Sequence, residues 1–250
     1  MSDDQHGEFE SDPVLARAAG YPYGVTETSF TLIGGEAKPF EPELTAGRTP
    51  VIGYGSNQSP EQLRRKFGVN LSPIPVQRGW LDDHDVVYAA HFASYGSLPA
   101  ALRHAPGTSV AVAVNWLDDE QLAVMHPTEQ QNYNYARLTG ISLQLAEGSV
   151  LEMAHAYLSF RGHVAHNGTP VALAEVRAEN RKLPALGQLD ALALTRDHMA
   201  PDQRLAEFVR AHIDDAILRT ERVATLLALA VAVAHADHDV LDYEETVTRP

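Results

Sequence analysis

The spacing of apolar positions changes near residue 172. Before it, apolar residues come in short runs bounded by glycine, proline and small polar residues, which is the pattern of strands. Such runs lie at Thr49–Tyr54, Ile74–Arg78, Asp85–Ala93, Thr108–Trp116, Tyr135–Leu145 and Met153–Phe160. In Asp85–Ala93 both alternating sets are largely apolar, Val87 and Ala89 on one side and Val86 and Tyr88 on the other. A strand covered on both faces, as in a closed barrel, reads this way. After residue 172 the apolar residues recur three and four apart. Pro170–Leu183, Leu186–Met199 and Pro201–Ala236 therefore predict helices.

Two helices are predicted among the strands. Ser59-Pro60-Glu61 is a helix start, with Ser59 as N-cap, Pro60 as the first helical residue and Gln62 placed to answer the cap. Leu63 and Phe67 share its buried face, and Gly68 ends it. Leu117–Glu129 has an acidic start and helical spacing, with Pro127 as a point of restart. Upstream, Pro13–Ala19 is a short helix stopped by Gly20, and Gly24–Gly35 a strand closing in a turn. The order is α+β, a small mixed β-barrel with flanking helices and a helical C-terminal extension. Three segments follow: 1–46, acidic and partly disordered; 47–165, the core; and 166–250, mainly helical.

Composition narrows the chemistry. The formal net charge is −14, from 19 Lys and Arg against 33 Asp and Glu. That balance argues against a general nucleic-acid binder, and the run Arg64-Arg65-Lys66 reads as a solvated helix face. Residues 1–12 hold five acids and no Lys or Arg, which predicts a disordered tip. Cysteine is absent, so thiolate metal sites and disulfides are excluded, in keeping with a cytoplasmic location. The most apolar stretch, Leu226–Ala234, is too short for a membrane span and predicts a buried helix segment. His163/His166 and His235/His238 lack a metal-ligand arrangement and read as surface histidines; no metal or cofactor is expected.

The stretch with the most chemistry is "VIGYGSNQSPEQLRRKF", Val51–Phe67. A dinucleotide-binding oxidoreductase would need a third glycine where Gln58 stands, so that alternative is weak. The amides of residues 55–58 and the side chains of Ser56 and Asn57 can instead line a cup for a carboxylate or a developing oxyanion. A plain turn without ligand is the other reading of the same residues.

Tyr54-Gly55-Ser56-Asn57 after an apolar strand matches the Y-G-S-N motif of the γ-glutamylcyclotransferase-like superfamily. The stretch Thr108–Leu145 resembles that family's strand, helix, glutamate and tyrosine-bearing strand. The likeness covers about residues 50–160. Gln58 replaces a usual apolar residue, and His126 a usual aspartate. The resemblance implies a γ-glutamylcyclotransferase-like barrel that converts a γ-glutamyl amine or amino acid to 5-oxoproline plus free amine. It implies Glu129 as the catalytic acid–base, and Tyr54, Gly55, Ser56, Asn57 and Tyr135 as substrate-binding residues, with Tyr133 the alternative to Tyr135. Such a glutamate works best when burial raises its pKa toward neutrality. A non-catalytic small-molecule or protein-binding member of the fold is the second reading. The expected partner is a small γ-glutamyl molecule, not a nucleic acid or a membrane. The C-terminal helices either pack on the core or form a homodimer.

Overall fold

The computed structural model describes residues 3–243, and of residues 3–6 the backbone only. Five strands close into a barrel: β3 (Thr49–Gly53), β4 (Ile74–Tyr88), β5 (Ala100–Leu117), β6 (Tyr133–Leu145) and β7 (Val150–Ser159). The ring runs β5-β3-β7-β6-β4 and returns to β5. Only β3 and β7 run parallel, with Val51 opposite His155. This mixed, closed α+β architecture is not the parallel doubly wound sheet of a dinucleotide-binding fold, and the oxidoreductase alternative falls with it.

The longest pairing is β4 with β5. The expected strands Ile74–Arg78 and Asp85–Ala93 are two halves of β4, which continues through a bulge between Asp82 and His84. Asp83 takes a left-handed φ of 56° there, and its carboxylate accepts from the Gly107 amide at 2.7 Å. Such a bulge bends the strand and lets one long element both close the barrel and extend beyond it. The strand stops at Tyr88, so residues 89–93 leave the sheet and are free to line a cavity. Val110, Val112, Ala113 and Val114 are all fully buried, as a strand covered on both faces requires.

Helix α3 (Pro60–Phe67) starts and stops where expected, and it buries Leu63 and Phe67. Its predicted capping box does not form: Ser59 Oγ is buried without a partner, and Gln62 faces a cavity. The box appears on α4 (Asp119–Glu129) instead. Asp118 accepts from the Gln121 amide at 2.9 Å, and Gln121 Oε1 accepts from the Asp118 amide at 3.1 Å. Pro127 lies inside α4 rather than restarting it, and the helix ends at Glu129. A proline supplies no amide to the helical ladder, so an end within one turn is natural.

The two ends of the chain differ from expectation. The stretch 1–12 is not a disordered tip in its described part: α1 (Asp3–Ser11) is helical and buries Phe9, while residues 1 and 2 lie outside the described residues. Ion pairs from Glu8 to Arg204 and from Asp12 to Arg210 answer its acidity. Helix α2 (Pro13–Ala19) is capped by Asp12 and buries Leu15 and Ala18. The strand expected at Gly24–Gly35 is confined to β1 (Phe30–Ile33), which pairs with β2 (Glu36–Pro39) and with β4.

The helix expected at Pro170–Leu183 is absent. Ala172 and Leu173 pair with Ala185 and Leu186, Ala172 also pairs with Val87, and Ala178 pairs with Val110. Helices α5 (Gln188–Met199), α6 (Leu205–Asp214) and α7 (Ala216–Leu229) follow. The segment after Leu229 is not helical, and His238–Val240 pairs with β6. Residues 244–250 of the expected helical extension lie outside the described residues. Phe9, Leu15, Ile52, Val112, Phe208 and Leu226 belong to one buried cluster, so all three expected segments share a core.

Candidate active site

Strand β3 delivers the site. It ends at Gly53, and the chain turns through Tyr54 and Gly55 into a tight 3-10 turn at Ser56–Gln58. Both glycines are required by close approach. A methyl group at Gly53 would stand 2.8 Å from Asn115 Nδ2, and one at Gly55 would strike the Tyr21 hydroxyl and reach 2.9 Å from Ala100 Cβ. Asn115 on β5 in turn donates to the Asn57 carbonyl at 3.2 Å, which fixes the turn. The Tyr54 hydroxyl donates to the Tyr157 carbonyl on β7.

The turn faces a cavity of about 740 Å³. Tyr54, Gly55, Ser56 and Asn57 form one wall and Glu129, at the end of α4, another. Asn57 Nδ2 donates to Glu129 Oε1 at 3.2 Å. The same oxygen accepts from Lys66 Nζ, while Thr128 Oγ1 lies 3.3 Å from it and donates its one proton to the nearer Met125 carbonyl at 2.8 Å. Among the described residues no hydrogen bond reaches Oε2. The Glu129 side chain keeps 12% of its exposure, so it is sheltered but reachable. Asn57 Oδ1 is buried without a partner, an acceptor awaiting a donor. The amide cup is smaller than expected, because the Gln58 amide is spent on the Gly55 carbonyl at 3.1 Å.

Around the carboxylate stand phenols. Burial, followed by the charge of Glu129, pushes the Tyr54 and Tyr157 hydroxyls far up. Tyr133 and Tyr21 are raised by burial as well. These groups remain protonated at neutral pH and act as donors or fixed dipoles. Tyr133 donates to the Ala100 carbonyl at 2.9 Å, and Tyr21 accepts from the Ala100 amide at 2.8 Å. His91 also lines the cavity. Burial, then Arg161, lowers it to about 3, so it is neutral, and its Nδ1 is buried without a partner.

The structure therefore gathers Tyr54, Gly55, Ser56, Asn57 and Glu129 at one cavity. It does not bring Tyr135 there. Tyr135 packs against His126, stacked on His155 at 5.2 Å, while Tyr133 holds the cavity wall. His126 is buried among tyrosines, and its Nδ1 meets the Tyr157 hydroxyl at 2.8 Å. Lys66 corrects the reading of Arg64-Arg65-Lys66 as a wholly solvated face. It lies three residues after Leu63 and beside Phe67, at the border of the buried face, which was a usable signal. Arg181, in the stretch Pro170–Leu183 expected to be helical, does not line the cavity either. Arg181 clamps the buried Asp85 at 2.8 Å, away from the cavity. Tyr21, His91 and Arg161 carry no sequence signal that would place them at the site.

Among the described residues no three of His, Cys, Asp and Glu cluster as metal ligands. No described helix is long and apolar enough to cross a membrane. No family model matches the chain, and no curated protein does. Among solved structures it is similar to one titled "Gamma-glutamyl cyclotransferase". The identity is 12% and the TM-score 0.38, over 80% of this chain and 97% of that one.

Proposed function

We propose that the protein is a γ-glutamylcyclotransferase-like enzyme that cyclises a γ-glutamyl amide to 5-oxoproline and releases the amine. The observation that supports this best is the bond from Asn57 of the Y-G-S-N turn to Glu129, 72 positions further on, inside one cavity.

In this reading Glu129 Oε1 is held by Asn57 and Lys66, and Oε2 faces the substrate. Oε2 takes a proton from the substrate's α-ammonium. The freed nitrogen bonds to the γ-carbonyl carbon of the same molecule and closes a five-membered ring. Charge that gathers on the carbonyl oxygen is met by the polar groups of the 55–57 turn. Glu129 then gives its proton to the departing nitrogen as the C–N bond breaks, takes the second proton that the ring nitrogen still carries, and passes it to the released amine, leaving a neutral lactam N–H and an ammonium, so one group serves as base and acid. The cavity contributes by holding the glutamyl chain folded, which makes the attack a proximity effect.

The experiment is release of 5-oxoproline by the purified full chain from a panel of γ-glutamyl amino acids and amines. Release by the wild type and its loss in Glu129→Gln are expected. Tight binding with no release by the wild type would identify a non-catalytic binding member instead.

A further inference from the structure

The cavity inverts the charge of the protein that contains it. The chain has 33 acidic and 19 basic residues. Among the described residues the cavity wall has Arg17, Arg65, Lys66, Arg161 and Arg219 against one carboxylate, that of Glu129. Two of these cations are answered: Lys66 pairs with Glu129, and Arg65 with Glu61 at 2.5 Å. The other three have no carboxylate in reach among the described residues. Arg17 lies over the Tyr95 ring at 4.7 Å. Arg161 donates to Asn132 Oδ1 and the Gln131 carbonyl, both at 3.1 Å. Arg219 donates to the His212 carbonyl at 2.7 Å. These neutral partners hold the guanidinium groups in place without cancelling their charge.

A γ-glutamyl head brings one α-carboxylate, and its α-amine is neutral at the moment of attack. One arginine is then answered and two are left over. We infer that the cavity selects γ-glutamyl substrates whose departing amine carries two negative charges. An amino dicarboxylic acid or an amine bearing a phosphate monoester has that chemistry, and arginine forks suit either anion. The inference rests on the cyclisation reading for the word substrate, but charge selection is measurable without turnover.

The test uses the full chain and four ligands of graded charge: γ-glutamyl-ethylamine, γ-glutamyl-alanine, γ-glutamyl-aspartate and γ-glutamyl-phosphoethanolamine. The wild type is assayed for kcat/KM, and Glu129→Gln for Kd by calorimetry. At low salt each added negative charge is expected to improve both by about fivefold, the equivalent of about 1 kcal/mol. The gain shrinks as salt rises. Arg161→Gln should lower the aspartate-to-ethylamine ratio by about fivefold. The exposed Arg17→Gln, which threatens the fold less, should act in the same direction. Either dianionic ligand exceeding the alanine ligand supports selection, and the better of the two identifies the anion. Equal turnover of all four leaves the cyclisation standing and overturns selection. Graded binding without any 5-oxoproline does the reverse. No binding by any ligand, or a gradient untouched by both arginine variants, overturns the inference.

Discussion

Asp85 and Glu129 both sit beside a cation away from bulk water, yet they are bonded in opposite ways. Asp85 is fully buried and saturated. Arg181 Nε lies 3.1 and 3.0 Å from its two oxygens, Arg181 Nη2 lies 2.8 Å from Oδ1, and the Val86 amide donates to Oδ1 at 2.8 Å. Arg181 also donates to the Val176 carbonyl. Glu129 takes its donors on Oε1, and among the described residues none reaches Oε2. A saturated pair can hold a loop on a barrel but has nothing left for a ligand. A half-saturated carboxylate is oriented and still available. The difference lies in the bonding of the second oxygen, more than in burial or the presence of a counter-charge: it separates an acid that is used up within the fold from one that could still take a ligand.

The largest test of that distinction is Glu129→Gln, which keeps the shape and the Asn57 side of the site. 5-Oxoproline formation should fall by about a thousandfold, the range of general acid–base loss, with the melting temperature nearly unchanged. Asp85→Ala should do the opposite. It leaves Arg181 largely buried and unpaired, so denaturant unfolding should show a loss of about 3–5 kcal/mol while kcat per folded molecule is kept. If Asp85→Ala abolished activity in still-folded protein, the comparison would collapse.

Acid probes polar groups that neither pair satisfies. Burial holds His91 and His163 at about 3 and His155 and His212 at about 4, against an ordinary 6.5, with Arg161 and Arg103 adding to the first two. These histidines are neutral when folded and protonate when unfolded. Stability is therefore full above about pH 6.5 and falls as pH drops toward 4, by up to about 1.4 kcal/mol per pH unit for each histidine. Urea midpoints at pH 7 and pH 5 measure it.

Gly55→Ala inserts a methyl group into the Tyr21 hydroxyl and Ala100. A destabilisation of about 1–3 kcal/mol is expected. Activity per folded molecule should fall as well, because the turn must move away from Glu129. Thr128→Val is the smallest change. It removes a hydroxyl that lies 3.3 Å from Oε1 but donates to the Met125 carbonyl at 2.8 Å, and kcat should barely change because Asn57 and Lys66 still hold Oε1.

Much of the barrel was legible because its strands announce themselves locally. Apolar runs of the right length, glycine at Gly53 and Gly55, and a proline at the start of α3 all agree with the final structure. The 54–57 turn and Glu129 were legible as a pair only through their joint resemblance to a family pattern. Where local signal and tertiary pairing disagreed, pairing won. Pro170–Leu183 has helical spacing, but Ala172 satisfies its backbone on β4 and Arg181 reaches back to Asp85. Alternation also could not choose between Tyr133 and Tyr135, since residues two apart on a strand share a face. Tyr133 lies at the start of β6 beside the cavity, and Tyr135 is two positions deeper, under His126. The cavity arginines were invisible because Arg17, Arg161 and Arg219 come from distant parts of the chain and no period links them.

That dispersal bears on synthesis. The cavity wall takes Arg17 and Tyr21 from near the start of the chain, the 54–57 turn and Glu129 from the barrel, and Arg219, Thr220 and Val223 from α7. A nascent chain emerging from the ribosome can pair β3 through β7 well before α7 is available. It would then hold the turn and the glutamate with one wall of the cavity missing. Any chemistry that needs the enclosed pocket would wait until α7 has been made and has docked.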